Sequence, residues 1–328
     1  MTLGLSLTTP PPTLSATQAV DLAQIHFGVR GDLTPLTSER DLNFRLTSHA
    51  ASYVLKLANR AEPATVTLFQ TLALLHLQAS QLPVPRVIRT LSGEPQAATR
   101  HGILRLLSYL TGTPQHLTQR TPAQCAAMGA MAARLSLGLA GFSHPAANHV
   151  LQWDIKQAST LRPLLPFITP DLRQLATEVL DRFDRDIAAV LPALRAQVVH
   201  NDLNPHNVLV DPANPNRICG IFDFGDMVHT PLICDAAIAA AYKIDPANPR
   251  ASLLTFAAAY HAVVPLTALE TRLLPDLAAT RMLTTLAVAS ARAADCPDNA
   301  PYILRNVPAA AAGLTALANS PRIPLELP

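Results

Sequence analysis

Residues 198–210 read Val-Val-His-Asn-Asp-Leu-Asn-Pro-His-Asn-Val-Leu-Val, which sets His200, Asp202 and Asn207 in the spacing H-x-D-x-x-x-x-N between two apolar runs. A further apolar run, Ile218-Cys219-Gly220-Ile221, leads into Phe222-Asp223-Phe224-Gly225-Asp226. The stretch between them, residues 211–217, is rich in Asn and Pro and reads as a turn. The pattern is a loop, a strand, a turn and a second strand ending in a carboxylate. Phosphoryl transfer from a nucleoside triphosphate is mostly positioning and electrostatics. It needs a carboxylate that orients the acceptor hydroxyl and takes its proton, a position Asp202 occupies. It also needs a few hard oxygen ligands for Mg²⁺, the remainder coming from phosphates and water. Asn207 offers a neutral oxygen and Asp223 a charged one. Either motif alone is weak. Both in order, each beside a strand-like run, are specific. The plain alternative is a hairpin whose Asp and Asn residues only form turns.

Lysine is scarce: only Lys56, Lys156 and Lys243 occur. Lys56 lies in Tyr53-Val54-Leu55-Lys56-Leu57, where an unpaired ammonium is costly to bury. Contact with nucleotide phosphates is a reason for it to be there; an edge-strand lysine facing water is the alternative. Upstream, Ser38-Glu39-Arg40-Asp41-Leu42-Asn43-Phe44 lies between a turn and a strand and holds no G-x-G-x-x-G. Ser38, Arg40 and Asn43 are the candidate side-chain contacts to a nucleotide, against the simpler reading of a solvated turn.

The elements that must carry these residues follow from pattern. Ser15 with Gln18 is a capping box opening a helix that Gly28 closes. Residues 43–46 and 52–57 are expected as strands joined by a turn at 47–51, and 87–90 and 102–107 as two more around Gly93. Residues 65–81 are expected as a helix burying Leu68, Leu72, Leu75 and Leu77. From Thr121 onward helices dominate: 123–139, 154–165, 170–190 and the Ala-rich tail from Cys234, interrupted by a short β segment at 198–224. The expected fold class is therefore α+β. The domain reading is a flexible arm at 1–13, a strand-rich nucleotide-binding lobe at 14–107, and a larger helical lobe at 108–328 with the catalytic loop and substrate pocket.

Composition removes several classes. The 328 residues are 49% hydrophobic with 12 Gly and 29 Pro, which suits helices punctuated by Pro-marked turns. Net charge is +2, positive charge is scattered and aromatics are few, so neither nucleic acid nor a membrane surface is an expected partner. The four cysteines form no C-x-x-C pair and read as buried hydrophobes in a reducing compartment. Met1–Pro12 lacks Lys and Arg and does not read as a signal peptide, and no run of apolar residues is long enough for a membrane span. A cytoplasmic location is expected. His200 reads as a loop residue bonded to nearby backbone and His206 as a loop contact; no third ligand makes a zinc site.

Together these residues resemble the aminoglycoside phosphotransferase and choline kinase superfamily, and within it hydroxylysine-kinase-like phosphotransferases. The likeness rests on residues 38–44 with 53–56, Leu104–Gly112, Trp153-Asp154, the His200–Asn207 and Asp223–Asp226 motifs, Cys234-Asp235-Ala236-Ala237, and Asp298-Asn299 with Tyr302, and so covers almost the whole chain. It implies a protein-kinase-like fold of two lobes, with ATP and Mg²⁺ as cofactors. It implies an adenine-binding hinge within Leu104–Gly112, including Leu106 and Ser108, and Lys56 on the phosphates. It also implies Asp202 as base, Asn207 and Asp223 as metal ligands, and Asp235 bracing the catalytic loop beside His200. One departure stands out. Such kinases pair the phosphate lysine with a glutamate on the first-lobe helix, and here that helix carries no acid; Glu62 or Gln70 takes the role, or the pair is missing.

The acceptor is expected to be a small-molecule hydroxyl. After Asp226 the chain reaches Pro231–Asp235 and a helix almost at once, leaving no long activation segment and no peptide platform. The favoured acceptor is an amino alcohol such as 5-hydroxylysine. The alternatives are an aminoglycoside, homoserine or choline kinase of the same fold, or a catalytically dead nucleotide-binding regulator. Arg281 and Arg292 are weighed as carboxylate anchors against the commoner role of surface charges. Trp153 and Asp154 are weighed as lining the pocket mouth, with a core anchor the alternative for the only Trp. Oligomeric state is not legible.

Overall fold

A computed structural model describes residues 9–38, 40–320 and 325–327. Most of the expected arm at 1–13 therefore lies outside the described residues, as does Glu39. The described chain divides into two compact units, 9–111 with 144–147, and 112–143 with the remainder.

The first unit begins as its sequence predicts. Helix α1 (Ala16–Phe27) opens on the Ser15–Gln18 capping box, with Gln18 N–H donating to Ser15 Oγ and Ser15 N–H to Gln18 Oε1. It ends at Gly28, whose φ of 69° is the left-handed conformation that glycine adopts without Cβ strain. Six antiparallel strands follow: β1 (Asp32–Leu36), β2 (Leu42–Thr47), β3 (Ser52–Leu57), β4 (Val87–Ile88), β5 (Ala97–Thr99) and β6 (Gly102–Ser108). Their order is β1-β2-β3-β6-β4, with β5 also on β6. Two of them, β1 and β5, were not expected. β1 contains Pro35 and is largely exposed, which an edge strand tolerates and an alternation pattern hides. The strand expected at 87–90 stops at Ile88, because Thr90 accepts Glu94 N–H through Oγ1 and closes a turn.

Alternation along the central strands gives the sheet two different faces. Phe44, Leu46, Leu55, Leu57, Leu104 and Leu106 pack with Ala19, Ala23 and Phe27 of α1 in one apolar core. In register between those positions lie Asn43, Lys56 and Arg105, a polar row across β2, β3 and β6. Helix α2 (Ala64–Leu77), from β3 toward β4, buries Val66, Phe69, Gln70, Ala73, Leu74 and Leu77. Of the stripe expected there, Leu68, Leu72 and Leu75 are only half-buried. The reason is physical. The helix is apolar nearly all round, so spacing alone does not select a face, and the selected face includes Gln70, whose carboxamide bridges Glu62 and Arg105.

The second unit is mainly helical. Helices α3 (Pro122–Gly138), α4 (Pro170–Arg182), α5 (Leu232–Ala241), α6 (Pro249–His261), α7 (Ala268–Asp295), α8 (Ala300–Ile303) and α9 (Val307–Ala318) surround short antiparallel pairs. Strand β9 (Val208–Asp211) lies between β7 (Thr113–Pro114) and β10 (Asn214–Ile221), and β8 (Ala196–Val199) pairs with β11 (Val228–Pro231). The helix expected at 154–165 is a 3₁₀ helix over Ile155–Phe167, where Pro163 and Pro166 remove the N–H donors an α-helix needs. That expected at 170–190 is α only to Arg182 and continues as a π turn over Phe183–Ile187. Helices α3 and α6 approach so closely at Gly129 that a Cβ there would lie 2.3 Å from Phe256 O. Among the described residues no helix is long and apolar enough to cross a membrane.

The α1 cap is a local interaction at an exposed site, so it can be tested alone. Ser15→Ala should lower the unfolding free energy by about 1 kcal/mol in urea titration, while Ser15→Asn, also a good N-cap residue, should stay within about 0.5 kcal/mol of the parent.

Candidate functional site

The residues of the H-x-D-x-x-x-x-N motif form a loop between β8 and β9 that is tied down at nearly every position. His200 is fully buried. Its Nδ1 accepts the N–H of Asp202 at 3.2 Å, which leaves Nε2–H to donate to Phe222 O at 3.1 Å, and its ring stands edge-on to Phe224. Asn201 adopts φ 65°, a left-handed conformation that Asn tolerates better than most residues, and donates its N–H to Asp235 Oδ1 at 2.7 Å. Asp235 lies in the first turn of α5, whose N-cap is Pro231. Burial pushes the Asp235 carboxyl up, opposed by His200 and by the Asn201 N–H.

Asp202 is the centre of this loop. Its Oδ2 accepts from Asn204 Nδ2 at 2.9 Å and from Asn207 Nδ2 at 2.7 Å, and its Oδ1 accepts from Arg281 Nη2 at 2.8 Å. Burial raises its pKa; the Arg281 guanidinium opposes that shift and the Asp226 carboxylate adds to it. Asn207 commits its NH₂ to Asp202, so its carbonyl oxygen is the end that can meet a cation. Its backbone oxygen accepts the N–H of Phe222 at 3.0 Å, which ties the first motif to the residue before Asp223. Asp223 is exposed and, like Asn201, has a positive φ, 61°. The two hairpin ends are thus one hydrogen-bonded construction, which a pair of plain turns does not require.

Arg281, in the middle of α7, is 2% exposed and is not a surface charge. Besides Asp202 it donates to Trp153 O at 3.0 Å and to the Tyr242 hydroxyl at 3.2 Å, and its guanidinium lies 5.4 Å from the centre of the Trp153 ring. It is spent on the loop, so it does not anchor a substrate carboxylate. Arg292 is buried as well. Trp153 is half-buried beside Arg281, while Asp154 is 1% exposed and accepts from Thr230 Oγ1 and Lys156 N–H. Asp154 therefore serves packing and does not line a pocket mouth.

In the first unit, Lys56 Nζ lies 3.0 Å from Asp41 Oδ2. Asp41 Oδ1 also accepts the N–H of Asn59. Burial alone would raise the Asp41 carboxyl, but Lys56 and Arg105 outweigh it and hold the pKa at about 2. The carboxylate beside the lysine therefore comes from the turn before β2 and not from α2, whose Gln70 meets Glu62 and Arg105 instead. Asn43 lies directly across from Lys56 on β2. Arg40 contributes its carbonyl to Asn59 Nδ2, and Ser38 is half-buried. Leu106 and Ser108 are engaged within the sheet: Leu106 is wholly buried and paired on both sides, and Ser108 uses its N–H and its Oγ on Arg86.

Sequence reasoning missed the Asp41 and Asn204 contacts, and it set Arg281 aside. Asp41 was in view two residues before Asn43. Arg281 had one signal, an arginine inside the run Ala278–Leu286, where burial without a partner carboxylate is costly.

With this geometry established, comparison with known proteins is informative. Residues 32–283 match the phosphotransferase enzyme family, APH. Hydroxylysine kinase from Mus musculus is 28% identical over 324 residues, covering 89% of this chain and 86% of that protein. Homoserine kinase from Methylobacillus flagellatus is 28% identical over 236 residues, covering 70% of this chain and 69% of that one. In structure, the amicoumacin kinase hAmiN, solved with AMP-PNP, Ca²⁺ and Ami, superposes with a TM-score of 0.68 at 15% identity over 95% of this chain and 96% of its own.

The Asp202–Arg281 pair supplies its own test. Arg281→Met should lose about 3–5 kcal/mol of stability, because it strands a buried carboxylate. Asp202→Asn combined with Arg281→Met should lose less than the sum of the two single changes, by at least about 1 kcal/mol in urea unfolding.

Proposed function

The chain belongs to the phosphotransferase enzyme family APH, and from that premise we propose that it phosphorylates an amino alcohol, with 5-hydroxylysine as the favoured acceptor. At the coarser level it is an ATP-dependent phosphotransferase acting on a hydroxyl of a small molecule, with the α+β, protein-kinase-like fold of its structural neighbours. The finer reading is supported by the hydroxylysine kinase relatives, which match along most of the chain. Homoserine is the second acceptor, on the shorter match to homoserine kinases.

The single observation that carries the mechanism is the setting of Asp202. Its carboxylate is fixed by Asn204, Asn207 and Arg281 at the motif position of a catalytic base. In the proposed reaction Asp202 orients the acceptor hydroxyl and takes its proton. The acceptor oxygen bonds to the γ-phosphorus, and the bond from that phosphorus to the bridging oxygen breaks to leave ADP. Arg281 favours the ionised form of the base against the effect of burial. Lys56, held by Asp41, attracts the nucleotide phosphates, with Ser38, Arg40 and Asn43 on the preceding turn and strand as further contacts. His200 and Asp235 hold the loop in shape. The free end of Asn207 and the exposed carboxylate of Asp223 are hard oxygen donors, the set that suits Mg²⁺. Held by these two residues, Mg²⁺ would neutralise phosphate charge. The Asp41–Lys56 pair weighs against a dead regulator, since the lysine has a carboxylate partner without a glutamate on α2.

ADP release from Mg-ATP, measured against 5-hydroxylysine, homoserine, choline, ethanolamine and aminoglycosides, tests the acceptor assignment. Turnover of 5-hydroxylysine above all others is expected; preference for an aminoglycoside would overturn the assignment. Asp202→Asn should lower kcat by about 10²–10⁴ while keeping the nucleotide-induced thermal shift. The pH dependence has a definite sign. A base must be deprotonated and burial raises Asp202, so kcat/KM should fall on acidification from a pH above the ordinary aspartate value of about 4.

A further inference from the structure

The second unit contains a cavity that the mechanism above does not use. It lies among α4, α6, α7 and α9 and has a volume of about 240 Å³. None of its described lining residues falls within 196–231, the stretch that carries the two motifs. Its inner wall is apolar and closed: Val179, Leu253, Ala279 and Leu314, one from each helix, are all buried. Leu325, beyond α9, also lines it and is buried. Arg272 and Ala318 are exposed and mark where it opens to solvent.

The polar groups on this cavity are unequal in charge. Among the described lining residues Arg182, Arg250 and Arg272 are cationic, and Asp276 is the one acid. Asp276 is already matched, with Oδ1 2.9 Å from Arg182 Nη1. Arg272 forms no ion pair with a described carboxylate. Guanidinium groups stay protonated throughout the working pH range, so the surplus is permanent. An apolar wall with a few charged groups at one side is the usual build of a small-molecule site, the apolar part supplying affinity and the charges orientation. The size limits the occupant. An apolar cavity of about 150 Å³ holds benzene, so this one has room for a ring with a short chain or for a chain of about eight carbons.

We propose that this cavity binds a small amphipathic anion, with its apolar body against Val179, Leu253, Ala279 and Leu314 and its carboxylate or phosphate head at Arg272 and Arg250. The site is separate from the loop that holds Asp202, and the proposal does not depend on the kinase reading.

The test uses octanoate, octyl phosphate and 1-octanol, which share a chain and differ in the head, in ligand-observed NMR titrations of the full-length protein. Octanoate or octyl phosphate should bind with a Kd of about 1 mM or tighter, and octanol at least about fivefold more weakly. The tighter of the two anions identifies the head. Arg272→Gln, at an exposed position, should weaken the better anion about fivefold and change octanol by less than about twofold. Ala279→Leu, which fills the inner end, should remove binding of all three; if that variant fails to fold, Arg272→Gln still decides. Equal affinity for octanol and both anions overturns the proposal, as does no binding of either anion. Anion binding that Arg272→Gln leaves unchanged also overturns it. Displacement of the bound anion by AMP-PNP, 5-hydroxylysine or homoserine would place it at the kinase site and overturn the proposal too. Failure of every acceptor in the ADP-release assay leaves it standing, since these titrations need no turnover.

Discussion

A carboxylate largely withdrawn from water needs a counter-charge, because desolvation drives it to the neutral form. Asp202 is in that position, and Arg281 is the counter-charge. Much of the second unit follows from keeping these two groups together. Helix α7 is long and almost wholly buried in its middle, which brings an arginine 79 residues further along the chain to the loop between β8 and β9. Tyr242 and the Trp153 carbonyl take up other guanidinium donors, so the cation is satisfied in a place where water does not reach it.

The loop uses the same economy of contacts. His200 reads the backbone on both sides of the hairpin, Asp235 receives the N–H of Asn201, and Asn207 spends its nitrogen on Asp202 and keeps its oxygen. Two non-glycine residues with positive φ, Asn201 and Asp223, flank the hairpin. Such conformations persist where the surroundings over-determine them, and here each lies next to a residue held by the loop's hydrogen bonds. The first unit has its own charged pair. Asp41 and Lys56 meet on the face of the sheet opposite the α1 core, with Arg105 in the same row. A carboxylate from the turn before β2 thus stands beside the lysine.

How much of this was legible in the sequence depended on how local each signal is. The Ser15 cap, the β2–β3 hairpin and the order of the two motifs involve neighbours along the chain, and each was read correctly from spacing. The resemblance carried by those motifs also brought out the family before any coordinate was known. Proline placement was legible only in part: it marked turns, but not that Pro163 and Pro166 leave a 3₁₀ helix, nor that Pro35 sits in an edge strand. The buried face of α2 was misread because leucines surround that helix, and the buried face includes Gln70, whose Oε1 accepts a hydrogen bond from Arg105 on a strand 35 residues away. Arg281 and Asp41 belong to the same class. An arginine in an apolar helix has no visible partner in sequence, and its choice of Asp202 is made by packing alone. The sequence by itself determined which residues are able to do the chemistry, because type and spacing within a loop are one-dimensional facts. Only the tertiary structure decided which charges keep them ionised, because an ion pair between distant segments is chosen by which side chains the fold buries together.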